Sequence, residues 1–325
     1  MSLSRIRLAS LHDKVMSAEQ AARFIENDMT VGMSGFTRAG EAKAVPQALV
    51  EQAKKNPLKI TLITGASLGN DLDKQLTEAG VLARRMPFQV DNTLRRAINN
   101  GEVMFIDQHL SETVEQMRNQ QLKRPDVAVI EAVAITEDGH IVPTTSVGNS
   151  ASFAIFAEKV IVEINTSLSE NFEGLHDIYI PTYRPTRTPL PLTQVDDRIG
   201  STAIPIDPAK IVGIVFNDTA DSPSTVTAPD DETQGIANHL IAFFEKEVAA
   251  GRLAKNLGPL QAGIGSIANA VLTGLKDSNF EDLVMYSEVL QDCTFELIDA
   301  GKMKFASGSS ITLSAQCGER VFGNL

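Results

Sequence analysis

Apolar positions along this chain follow two alternating rhythms. Short runs with little polar interruption at residues 30–34, 58–64, 103–107, 127–134, 159–164 and 177–180 read as strands buried on both faces. Between them, residues 42–55, 71–79, 93–100 and 111–121 space their apolar side chains three and four apart, which predicts helices. Ser17-Ala18-Glu19-Gln20 has the form of a capping box and starts a helix to about residue 27. Strands alternating with helices imply an α/β fold, an open parallel sheet covered on both sides. Asp138-Gly139, between two β-prone runs, predicts one antiparallel hairpin on that sheet.

The proline-rich stretch 183–191 reads as irregular surface chain. Residues 217–231, rich in Asp, Ser, Thr and Pro, read as an interdomain linker, which divides the chain into domains 1–220 and 221–325. Past the linker, Ile236, Leu240, Ile241, Phe244 and Val248 form one helical stripe ending near Gly251. The remaining chain is too short for a second full set of βαβ layers, so the second domain is either small or incomplete.

The chain has 325 residues, 43% of them hydrophobic and 22% charged, which suits a soluble globular protein. A net charge of −12 offers no broad basic field and argues against nucleic acid as a partner. Local lysines and helix N-termini can still hold an anionic cosubstrate. No apolar run approaches the roughly 20 residues that span a bilayer. With only Cys293 and Cys317, and no apolar leader, a cytoplasmic location is expected.

Gly263-Ile264-Gly265-Ser266-Ile267-Ala268 fits the G-x-G-x-x-A pattern, here after a poor first strand and far from the N-terminus. Such a turn can bind a dinucleotide, simply close a strand onto a helix, or leave the Ile264 N–H free as an oxyanion donor. Glu288 follows an apolar strand, and Leu290, Cys293, Leu297 and Ile298 behind it have helical spacing, with Gly301 set to end the helix. A carboxylate there either favours the helix N-terminus or acts as a nucleophile. Glutamate is ionised at neutral pH, so as a nucleophile it needs a polarised carbonyl rather than a base. The five histidines are scattered without a nucleophile elbow, no spacing matches a metal site, and Cys293 falls on the apolar helix face. The loops Ser34-Gly35-Phe36-Thr37 and Thr64-Gly65-Ala66-Ser67 both leave strand C-termini, where open sheets receive their ligands or merely turn.

Taken in order, these segments resemble the acetyl-CoA hydrolase/transferase family of class I CoA transferases. The matching pieces include Gly32-Met33-Ser34-Gly35-Phe36-Thr37, Leu62-Ile63-Thr64-Gly65-Ala66-Ser67, Val147-Gly148-Asn149, Gly263-Ile264-Gly265-Ser266-Ile267-Ala268 and Met285-Tyr286-Ser287-Glu288-Val289-Leu290. The resemblance implies two CoA-transferase-like open-sheet domains, with Glu288 as nucleophile and the Ile264 N–H as one of two oxyanion donors. It assigns Gly263, Gly265, Gly35, Ser67 and Arg198 to the acyl or CoA side. Coenzyme A is then a cosubstrate, with no permanently bound cofactor; acyl-CoA and a small carboxylate are the substrates, and a homodimer is the expected state. Members of the family continue past position 325 with a Gly-rich loop that supplies the second donor, so the second domain reads as the first part of a longer one. Acyl-CoA hydrolysis, a nucleotide-dependent oxidoreductase and a non-catalytic binding fragment stand as alternatives.

Overall fold

A computed structural model describes residues 3–223 and 229–325. They form two compact units: Pro191–Arg198 group with Pro223–Asn324, and the rest of the chain up to Ser222 forms the first unit.

In the first unit, α1 (Ala18–Ala22) leads to β1 (Thr30–Met33), α2 (Ala44–Lys55), β2 (Ile60–Ile63), α3 (Leu72–Glu78), β3 (Leu82–Met86), α4 (Asn92–Asn99), β4 (Met104–Phe105) and α5 (Leu110–Arg118). It continues through β5 (Val127–Ile135), β6 (Ile141–Pro143), α6 (Ser150–Phe156), β7 (Lys159–Asn165) and β8 (Ile211–Asn217). The strands make one eight-stranded sheet in the order β4-β3-β2-β1-β5-β7-β8, parallel except for β6, which pairs antiparallel with β5 through the expected Asp138-Gly139 turn. All nine residues of β5 are buried. Each large aliphatic side chain hidden this way contributes roughly 1.5–3 kcal/mol, which fixes β5 at the centre of the sheet.

Three sequence expectations change here. The capping box at Ser17 and Gln20 forms, yet α1 stops at Ala22. Residues 177–180 do not form a strand. The Asp177 carboxylate accepts hydrogen bonds from the backbone N–H groups of Ile199 and Gly200, closing a loop that leaves Ile178 a single bridge to Ser201. The strand β3 is absent from the sequence reading because Leu-Ala-Arg-Arg-Met looks polar. Arg85 is nevertheless fully buried, held by Asp73 at 2.8 and 3.2 Å and by the Met86 carbonyl at 2.7 Å.

The helix α2 has no cap of its own, since the Lys43 side chain makes no capping bond. Glu163 on β7 supplies one from across the sheet. Its carboxylate accepts from the N–H groups of Lys43, Ala44 and Val45 at 2.6, 2.8 and 2.9 Å. Three orphan donors and the positive helix end thus meet one buried anion.

The second unit contains α7 (Asp231–Ala249), β9 (Pro259–Leu260), α8 (Ser266–Asp277), β10 (Leu283–Tyr286), β11 (Val289–Leu290), α9 (Asp292–Asp299), β12 (Met303–Ser307), β13 (Ser310–Ile311) and α10 (Ala315–Phe322). Its strands pair in parallel as β12-β10-β9 and β11-β13. The stripe on α7 is only partly used: Ile241, Phe244 and Val248 pack on the core, while Ile236 and Leu240 stay exposed. The 217–231 stretch is no simple linker, because Asp221 and Ser222 are bound into the first unit; residues 224–228 lie outside the described residues. Among the described residues no helix is long and apolar enough to cross a membrane.

Candidate active site

The ligand end of the first unit is built where β1 and β2 end. Gly35, at φ +128°, takes a backbone conformation that favours glycine, and a Cβ there would strike Glu41 and Leu68. The N–H of Arg38 donates to the carbonyl of Ser67 at 3.0 Å. A Cβ on Gly65 would lie 2.5 Å from the Gly35 carbonyl oxygen. The two loops therefore lie against each other, which brings Gly35 and Ser67 together. Both are buried. The Phe36 ring packs against Gly148 and extends the cluster to the Val147-Gly148-Asn149 segment. Four non-glycine residues here, Thr37, Arg38, Asn70 and Asp71, adopt positive φ, and strain of this kind collects at functional loops.

Beneath these loops lies a charged cluster that sequence reasoning missed. The buried Lys43 ammonium donates to Glu131 Oε1 at 2.7 Å, Asp221 Oδ1 at 2.8 Å and the Glu41 carbonyl at 2.8 Å. Glu131 also accepts from Asn165 at 2.6 Å and from the Thr144 hydroxyl at 3.0 Å. It stands directly beside Glu163 in the β5–β7 register. Burial pushes Glu131 up to about 8 despite Lys43, and raises Glu163 against the pull of three amides. Burial, then the field of Asp221, lifts Glu41 to about 7. Burial works against the charge on Lys43, but Glu131, Asp221 and Glu41 outweigh it and hold the amine above the ordinary lysine range. Beside one ammonium, Glu41 and Glu131 are thus brought to exchange their protons close to neutral pH. Nothing in the periodicity marks this cluster; its sequence trace is one glutamate inside each of two largely apolar strands.

In the second unit, Gly265 at φ +134° begins α8 with no side-chain cap. Among the described residues the Ile264 N–H has no hydrogen-bond partner, and the Ile264 side chain is 54% exposed. Glu288 lies between β10 and β11, four residues before α9, which starts at Asp292. The helix-capping reading of Glu288 is thereby overturned: Gln291 occupies the cap position. Leu290 belongs to β11 rather than to the helix, and Ile298 is exposed, while Cys293 and Leu297 are buried as expected. Residues around Glu288 grip the glycine turn. The Ser287 hydroxyl donates to the Ala262 carbonyl at 2.9 Å and accepts from the Ala262 N–H at 3.2 Å. The Gln291 amide donates to the Gly263 carbonyl at 3.2 Å. The Ser309 N–H donates to the carbonyl of Glu288 itself at 2.8 Å. The Glu288 side chain is exposed, and its backbone is anchored on both sides. A dinucleotide reading of the turn has only the two-residue β9 as its leading strand. Arg198 lies on exposed irregular chain at the end of the segment that groups with the second unit.

Residues 4–216 match the acetyl-CoA hydrolase/transferase N-terminal domain. A succinyl-CoA:acetate CoA-transferase from Clostridium kluyveri is 44% identical over 314 residues, covering 96% of this chain and 58% of that protein. An acetyl-CoA hydrolase from Schizosaccharomyces pombe is 42% identical over 332 residues, covering 99% of this chain and 64% of that protein. The chain therefore spans less than two thirds of the length of either relative. A 4-hydroxybutyrate CoA-transferase from Porphyromonas gingivalis shares the fold with a TM-score of 0.61 at 19% identity, covering 97% of this chain and 67% of the other. On the strength of that domain match, sustained along an open parallel sheet of the same kind, the chain belongs to the acetyl-CoA hydrolase/transferase family.

Proposed function

We propose that this chain carries the nucleophile of a CoA-transfer reaction between an acyl-CoA and a small carboxylate such as acetate, succinate or propionate. The observation that supports it most is the tethering of the glycine turn by Ser287 and Gln291, the residues that bracket Glu288. In this reading the Glu288 carboxylate attacks the thioester carbonyl, expelling CoA thiolate and forming an acyl-glutamyl anhydride. The thiolate then attacks the glutamyl carbonyl, releasing the original acyl group as a carboxylate and leaving glutamyl-CoA thioester. An incoming carboxylate reverses both steps and departs as the new acyl-CoA. Each addition creates a tetrahedral oxyanion, and the unpartnered Ile264 N–H is the donor offered to it. Gly263, Gly265, Gly35, Ser67 and Arg198 belong to the acyl and CoA side of the same proposal. So do a homodimeric state and a cytoplasmic location, the latter in keeping with two free cysteines.

The test is incubation with acyl-CoA, borohydride reduction and peptide mass mapping: reduction at Glu288 is expected, and a different modified residue overturns the mechanism. The relatives named acetyl-CoA hydrolase favour a second reading, in which water intercepts the glutamyl thioester. CoA release that is indifferent to added carboxylate would select hydrolysis over transfer.

A further inference from the structure

Glu41 is wedged between the two glycine loops at the ligand end of the first unit. On one side, a Cβ at Gly35 would come 2.8 Å from the Glu41 Cβ; on the other, a Cβ at Gly69 would come 2.3 Å from Glu41 Oε1. Oε1 accepts from the Asn70 amide at 2.8 Å. Oε2 is buried and, among the described residues, has no hydrogen-bond partner. The chain just after β8 closes over the same point. The Asp221 carboxylate accepts from the Gly40 N–H at 3.2 Å and from the Thr145 hydroxyl at 2.6 Å, and the Ser222 hydroxyl accepts from the Asn70 N–H at 2.6 Å. Each loop is thus fastened once to this short strap, at Gly40 and at Asn70, with Glu41 between the two fastenings.

We propose that Glu41 is a proton-controlled positioning residue: as a neutral carboxyl it holds the Asp221-Ser222 strap against the two loops, and as a carboxylate it releases them. The charged groups facing Glu41 are Asp221, from the strap, and Lys43, from the start of α2; Glu131 and Glu163 stand behind Lys43 on the central strands. Lys43 is already shared between Glu131 and Asp221, so it offers Oε2 no hydrogen bond. An ionised Oε2 would be a buried charge without a donor beside a second carboxylate, far costlier than a neutral hydroxyl lacking one acceptor. Burial and Asp221 set the changeover to about 7, inside the physiological range. Relief is available only by moving the strap or the loops, since the central strands behind are close-packed. That these loops face a ligand rests on the function proposed above; the latch itself does not.

The test is backbone hydrogen exchange at about pH 6 and about pH 8, corrected for the intrinsic pH dependence of exchange, reading the peptides that hold the Gly40 and Asn70 amides. In the wild-type chain these amides are expected to lose roughly tenfold in protection at the higher pH, while those of β5 do not change. In Glu41→Gln, which is neutral at both pH values and keeps an oxygen for Asn70, the step disappears. Asp221→Asn removes the repelling charge and moves the step to lower pH or out of the range sampled, and it serves as the deciding variant should Glu41→Gln fold poorly. A wild-type chain with no step, or a step that survives both substitutions unchanged, overturns the proposal. Neither readout involves acyl-CoA, so failure here leaves the role of Glu288 standing, and failure of that role leaves the latch standing.

Discussion

Replacing Lys43 by methionine should be among the most damaging single changes in the first unit. Methionine keeps most of the side-chain volume, so the packing loss is small. What disappears is a donor to three acceptors at 2.7–2.8 Å, the buried Glu131 and Glu41 carbonyl and the partly buried Asp221. Glu131 retains Asn165 and Thr144, and Asp221 retains Thr145 and Gly40, so neither is left bare. Both nevertheless lose the one counter-charge they pair with among the described residues. Breaking a buried pair from one side costs about 3–5 kcal/mol. The dependence on pH follows from the remaining carboxylates. Without Lys43 the folded pKa values of Glu41 and Glu131, already raised, rise further. A group raised in the folded state is most stabilising below its unfolded pKa, and that contribution fades as pH climbs to the folded value. The defect should therefore deepen from mildly acid to neutral pH. Because the chain has no tryptophan, far-UV circular dichroism during urea unfolding is the suitable probe, with exchange at β5 reporting the first unit. Glu131→Gln should cost only about 1 kcal/mol, since Lys43 keeps two acceptors, and adding it to Lys43→Met should recover part of the loss. A Lys43→Met penalty below about 1 kcal/mol, or one that does not vary with pH, would refute this account of the cluster.

Three further outcomes concern the second unit. Ser287→Ala removes both bonds to Ala262 and should cost about 1–2 kcal/mol locally. It should also lower kcat for CoA transfer roughly tenfold with little change in KM for carboxylate; unchanged kcat would detach the turn from the chemistry. Gly265→Ala meets open space but forces φ +134° on a side chain, so about 1–3 kcal/mol of strain should appear as lost exchange protection at the start of α8. Cys293 is buried beside the Asn269 amide oxygen, and burial pushes its thiol up to about 12. It should resist a disulfide reagent near pH 8 until urea is added, and rapid labelling of the native chain would contradict its core position.

The central strands were legible because an apolar run such as Val127 to Ala134 has no alternative to double-sided burial. The hairpin was legible because Asp-Gly suits a tight turn. Arg85 hid β3, since a charged side chain signals solvent until its partner, Asp73, is known to lie on α3. Local spacing likewise assigned Glu288 to a helix start, whereas pairing of β11 with β13 draws Val289 and Leu290 into a strand and delays α9 to Asp292. The bonds from Ser287 and Gln291 to the glycine turn span 25 and 28 residues and follow no period. Asp221 and Ser222 looked like linker because their composition is that of exposed chain, and only the receiving loops reveal what they fasten.

The cap that Glu163 provides to α2 has a bearing on how the chain assembles. The helix begins at Ala44, but the group that satisfies its first amides lies about 120 residues later. As synthesis proceeds from the N-terminus, the first two ligand loops can be made long before the anion that fixes the helix between them exists. Their final shape must wait for β7 to dock, so a chain cut before residue 163 should leave the start of that helix frayed, however much of the early sheet has formed.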